Sequence, residues 1–230
     1  MKRFIPALAL LALTLASSPE ALAREGFSVH FGLGGGFWDL GTDSLAGQLS
    51  EINRPPAEGA LLSGSLEHGL ALQLGFAYNI MGYASLDLGI TGHGWNMGTS
   101  DAIGGSGHAS LVAHIHPLQF FLPPDRPYDA SLFLGGGYSI LGGGQPDDNN
   151  SRALDGGALE CGIAGRWFFT DWFSLGAELR LIAPFYSRWV VDWEDGEDYD
   201  LDGAPDALFV ALLVQAGFHF TPAGTSKGTP

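Results

Sequence analysis

Hydrophobic and polar positions alternate with a period of two along most of the chain. The stretch LEHGLALQLGFAYNI, residues 66–80, shows it most plainly. Leu66, His68, Leu70, Leu72, Leu74, Phe76, Tyr78 and Ile80 share one face, and Glu67, Gly69, Ala71, Gln73, Gly75, Ala77 and Asn79 share the other. Successive side chains of a strand point to opposite faces, so alternation of this length predicts a β-strand. The pattern recurs through residues 27–37, 86–90, 111–115, 132–140, 159–167, 173–185 and 208–220. Val112 and Phe133 break it, each placing an apolar side chain on the other face. Eight strands are expected, and no stretch after the first residues offers a convincing helix.

The second face decides which way the apolar one looks. A water-facing surface would carry Lys, Glu, Thr and Arg in quantity; here the second face carries Gly, Ala and Ser. Small residues suit the inside of a narrow closed barrel, which eight strands leave just wide enough for side chains to fill. Its charged groups are of both signs: Glu67, Asp87, Glu160 and Glu178 against Arg166 and Arg180, with His30, His93, His114 and His116 on the same side. Ion pairs among them would staple the lumen, and breaking a buried pair costs about 3–5 kcal/mol. The apolar face is therefore expected to look outward into lipid. The expected connections also alternate in length: long at 39–65 and 187–206, tight at 81–83 and 170–171. A Pro-rich turn is expected at 117–127, and medium loops at 96–107 and 142–153. Membrane barrels have short turns on one side, longer loops on the other, and aromatic girdles. Trp38, Tyr78, Trp95, Tyr128, Trp167 and Trp172 lie near expected strand ends.

Composition sharpens this picture. The formal net charge is -15, which argues against nucleic acid as a partner, because phosphates call for a basic patch. The single cysteine, Cys161, excludes an intramolecular disulfide and falls on the apolar face, where it reads as a small hydrophobe. The chain opens with Lys2 and Arg3, an apolar run at 4–16, and Ala21-Leu22-Ala23. This reads as a cleaved secretory signal peptide over residues 1–23, too short to span a bilayer. A barrel over 24–220 and a polar, disordered tail over 221–230 complete the expected organisation.

With these features the chain resembles the small eight-stranded outer-membrane β-barrel proteins of the OmpA-transmembrane, OmpX and OmpW type. The resemblance covers residues 25–220 and includes the aromatic end of the last strand, Gly217-Phe218-His219-Phe220. It implies an all-β, antiparallel, up-and-down transmembrane barrel in the outer membrane of a Gram-negative bacterium, with both termini periplasmic. It also implies the barrel insertion machinery, outer-membrane lipid and lipopolysaccharide as partners.

Four motifs carry candidate chemistry. Asp198, Asp200, Asp202, Gly203 and Asp206 match the start of a D-x-D-x-D-G calcium loop, in which alternate carboxylates converge on one hard cation. The bidentate Glu of the twelfth position is replaced by Phe209, so any Ca2+ would bind weakly, near ~10⁻⁴–10⁻³ M. His114-x-His116 places two imidazoles on one strand face, a spacing that zinc can use, though lumen hydrogen bonding is the better reading. His108-x-Ser110 is similar to the His-x-Ser of outer-membrane lipid A deacylases, but here it faces the lumen with no orienting acid evident. FGLGGGFW and LFLGGGYS open no helix, so their glycines are expected to make room for bulky lumen neighbours, not to bind a dinucleotide. The expected function is a non-enzymatic surface barrel working through its external loops. The alternatives are a narrow channel for small or hydrophobic solutes and, behind it, a lipid A-modifying enzyme.

Overall fold

The computed structural model describes residues 26–40, 67–80, 83–96, 103–122, 126–144, 152–191, 197–200 and 207–220. Eight long strands close into an antiparallel barrel: β1 Gly26–Leu40, β2 Glu67–Ile80, β3 Ala84–Asn96, β4 Ile103–Ile115, β5 Tyr128–Gly144, β6 Arg152–Thr170, β7 Phe173–Val191 and β9 Ala207–Phe220. Each pairs with its sequence neighbour, and β1 pairs with β9 to close the ring. Closure leaves no barrel strand without a partner on either side. A short strand, β8 (Glu197–Asp200), attaches to the end of β7. The end of the barrel where β1 begins and β9 finishes is termed the near end, and the opposite one the far end.

The two faces divide as the alternation requires. Phe31, Leu72, Leu88, Ile90, Leu134 and Val214 stand exposed on the outside, while Ser28, His30, Gln73, Asp87, Glu160, Glu178, Arg180 and Gln215 are buried inside. This inverts the usual soluble arrangement, in which charged side chains are seldom fully buried. No described helix is long and apolar enough to cross a membrane.

Four connections differ from expectation. The Pro-rich turn contains a single helical turn, α1 (Leu118–Phe121), started by Pro117 at φ -62°. Proline is pre-set for a helix start, and one turn is too short to leave a periodic trace. The expected loop at 187–206 is partly sheet. β7 continues to Val191 and pairs there with β8, matching Val190 to Asp198 and Arg188 to Asp200. A register shift against Asp155/Gly156 skips Ser187 and breaks the strict period that the sequence pattern relies on. The loops expected at 96–107 and 142–153 also shorten, because β4 begins at Ile103, β5 runs to Gly144 and β6 begins at Arg152. Glycine and serine fill the start of β4 at 104–107 and the end of β5 at 142–144, and hide them from a hydrophobic pattern.

The two apolar exceptions have a common explanation. Phe133 points inward with its ring under the Arg180 guanidinium, whose centre lies 5.0 Å from the ring centroid. An aromatic face is a favourable seat for a cation away from water. Gly162 makes the room, since a Cβ there would meet the Phe133 ring. Val112 likewise points inward, against Gly135.

Candidate functional site

The lumen is packed in layers of polar side chains. At mid-height Arg180 donates through Nε to Glu178 Oε1 at 2.6 Å and through its guanidinium to Glu160. Two amides complete the belt. Gln215 donates to Glu178 Oε2 and to Gln73 Oε1, both at 2.7 Å, and Gln73 donates to Glu178 Oε1 at 3.3 Å. Donors thus come from β2, β7 and β9, and acceptors from β2, β6 and β7, so the belt ties strands across the barrel. Of the residues expected in the lumen network, Glu160, Glu178 and Arg180 come together. Arg166 lines the same lumen on β6, half-buried, and makes no ion pair among the described residues. The side chain of Glu67 lies outside the described residues. Gln73 and Gln215 were not singled out in the sequence, because their partners lie 105, 142 and 37 residues away.

Asp87 belongs to a second layer, toward the near end. Its Oδ2 lies 3.2 Å from His30 Nε2 and 3.7 Å from His114 Nε2. His114 Nδ1 in turn lies 3.1 Å from Ser131 Oγ. Gly75 on β2 admits His30, since a Cβ at that position would collide with the imidazole. Toward the far end, the ring of Phe209 lies 4.8 Å from that of His93 and 5.2 Å from that of His108. His108 and Ser110 therefore face the lumen, as expected, and His108 packs against an aromatic ring.

A third layer sits at the near rim. Ser85 is the second residue of β3, His116 follows the last residue of β4, and Asp129 is the second residue of β5. Ser85 Oγ lies 3.1 Å from His116 Nε2, and Asp129 Oδ2 lies 2.6 Å from His116 Nδ1. Arg126 reaches the other carboxylate oxygen of Asp129 at 3.5 Å. In the sequence His116 was paired only with His114, because the partners it uses lie 31 residues before and 13 residues after it. Beside this rim, the Tyr83 ring packs against Phe120 of α1 at 5.0 Å, and Phe121 is 82% exposed.

The far end carries a polar cluster on the outward face. Arg188 Nε lies 3.0 Å from Asp155 Oδ1, and the Tyr138 hydroxyl donates to Asp155 Oδ2 at 2.6 Å. It lies toward the far end from Leu134 and Leu159, both outward and exposed. A phenol with its ring on apolar surface and its hydroxyl in a polar cluster marks an interface between oil and water.

Of the expected calcium ligands, Asp198 and Asp200 lie on β8, and Asp202 and Asp206 lie outside the described residues. Among the described residues no group of three His, Cys, Asp or Glu side chains is placed to hold a metal ion. His114 and His116 have their rings 6.3 Å apart and each engages a serine and an aspartate.

A closed eight-stranded ring with a polar inside and an apolar outside decides the architecture. The fold is that of a small outer-membrane β-barrel. Solved structures of this kind superpose over most of the chain. A major outer membrane protein of Thermus thermophilus matches with a TM-score of 0.53 at 15% identity, covering 85% of this chain and 98% of that one. The outer membrane protein OprG of Pseudomonas aeruginosa matches at 0.51 and 11% identity, covering 86% and 99%. Neisserial surface protein A matches at 0.50 and 12% identity, covering 85% and 98%. No protein-family model matches the chain, and no curated relative does. At such identities the likeness is one of fold alone, so function has to be argued from the residues of this barrel.

Proposed function

We propose that the protein is an integral outer-membrane barrel with a closed lumen, acting at the cell surface through its far-end connections. The observation that carries this is the belt at mid-height. Arg180 and Gln215 are 1% and 2% exposed, and with Glu160, Glu178 and Gln73 they bridge the lumen by hydrogen bonds. Eight strands leave room for packed side chains and little more; aqueous channels are built from larger barrels. The outward apolar face and the aromatic pairs Tyr128–Trp167 and Trp172–Phe218 support placement in a bilayer. In this reading the near end, with both barrel termini, faces the periplasm. The far-end segments, acidic at Glu197, Asp198 and Asp200, meet lipopolysaccharide, its bridging divalent cations or an external partner.

Planar-bilayer recording of the refolded protein tests the closed lumen. The expected result is a bilayer with no stable conductance steps after insertion is verified by heat-dependent gel mobility. Reproducible steps from the wild-type barrel would overturn the closed lumen and favour a narrow channel.

A further inference from the structure

We propose that Ser85, His116 and Asp129 form an acyl-transfer site at the near rim of the lumen, with Ser85 as nucleophile toward small carboxylic esters. The connectivity carries the assignment. A carboxylate can only accept, so the 2.6 Å contact to Asp129 puts an imidazole proton on Nδ1 of His116. In the neutral form of such a ring Nε2 is the acceptor, and Ser85 Oγ stands 3.1 Å from it, placed to donate. Nucleophile, base and orienting acid are thereby joined in the order that activates a serine, and such sites are recognised by geometry and roles, not by sequence position. Arg126 on the second oxygen of Asp129 steadies the carboxylate.

The pair of Ser131 and His114 is built differently. Ser131 meets His114 on Nδ1, and Asp87 stands 3.7 Å from the opposite nitrogen, beyond a hydrogen bond. Ser174 meets His219 Nε2 at 2.9 Å, and the His219 ring packs on Phe168 at 4.9 Å. His108 and Ser110, the pair the sequence offers for catalysis, are two residues apart on one strand, and the His108 ring packs against Phe209.

The steps balance without a cofactor. Ser85 Oγ bonds to the acyl carbon as its proton passes to His116 Nε2. The C–O bond of the ester breaks, and the leaving alkoxide takes the proton from His116 to depart as an alcohol. Water then gives a proton to His116 and its oxygen to the acyl carbon, and Ser85 regains its proton as the acid is released. Ser85 and His116 are 4% and 6% exposed, so the reagent expected to reach them is one with a small acyl or phosphonyl group and not a bulky one.

A fluorophosphonate probe is the direct test, because attack by Ser85 expels fluoride and leaves a stable phosphonyl serine. Refolded protein would be treated, digested, and mapped by mass spectrometry, with p-nitrophenyl acetate hydrolysis measured alongside. Ser85 is expected to carry the label in the folded barrel and not after heat unfolding. His116→Gln and Asp129→Asn should slow labelling at least about a hundredfold, within the contribution of a positioned base. Should either variant fail to fold, the site of labelling in the wild type still decides. An unmodified Ser85 in protein shown to be folded would overturn the site, as would equal labelling of folded and unfolded protein. The outcome is independent of the closed lumen: bilayer conductance can fail that reading while Ser85 is labelled, and the reverse.

Discussion

Arg180 on β7 reaches Glu160 on the neighbouring β6, and both side chains are 1% exposed. The same guanidinium holds Glu178, two residues earlier on its own strand, at 2.6 Å. One cation thus serves two buried carboxylates, and the Gln73 and Gln215 amides complete the coordination of Glu178. Removing Arg180 strands two acids in the lumen, whereas removing one acid leaves the cation a partner. Arg180→Ala should therefore cost about 3–5 kcal/mol in urea unfolding of the refolded barrel, within the range for breaking a buried pair. Glu160→Gln should cost less, because Arg180 keeps Glu178. Equal losses for the two variants would show that the belt does not depend on the cation at its centre.

Gly75 and His30 are cross-strand partners between β2 and β1, and the glycine exists to admit the imidazole. Gly75→Ala should push His30 away from Asp87 and destabilise the barrel by roughly 1–3 kcal/mol, as overpacking does. With His30→Ala already present, the extra methyl has somewhere to go. The double-mutant cycle should then show a coupling of about 0.5–3 kcal/mol, the range for residues in contact. Additive losses in the same unfolding assay would remove the steric account of Gly75.

How much of this was legible follows from the period. Each long strand announces itself because one face is apolar and the other small or polar, and a strand has only two faces. Phe133 and Val112 stood out as exceptions, yet their reason lies on another strand, in Arg180 and Gly135, and spacing cannot show it. The charged lumen residues Glu160, Glu178 and Arg180 were legible because an ion on a barrel's inner face needs a counter-ion. Gln73 and Gln215 were not, because an uncharged amide on a small-residue face carries no such demand. Ser85, His116 and Asp129 were hidden more deeply. Each lies at a strand boundary, where alternation is weakest, and the relay exists only once β3, β4 and β5 are aligned at their near ends.

Cys161 gives a direct reading of which solvent the outer face meets. It is exposed on β6, opposite Leu134 on β5 and Leu181 on β7, within the apolar surface. It is the chain's single thiol, so any modification reports that one position. In the barrel inserted into phospholipid vesicles, a charged thiol reagent that cannot enter lipid should leave Cys161 untouched, because the thiolate that reacts forms only where water can take its proton. After heat unfolding in detergent the reagent should react, since nothing then shields the sulfur. A barrel whose apolar face met water would give a different pattern. There the reagent would modify the folded form as well.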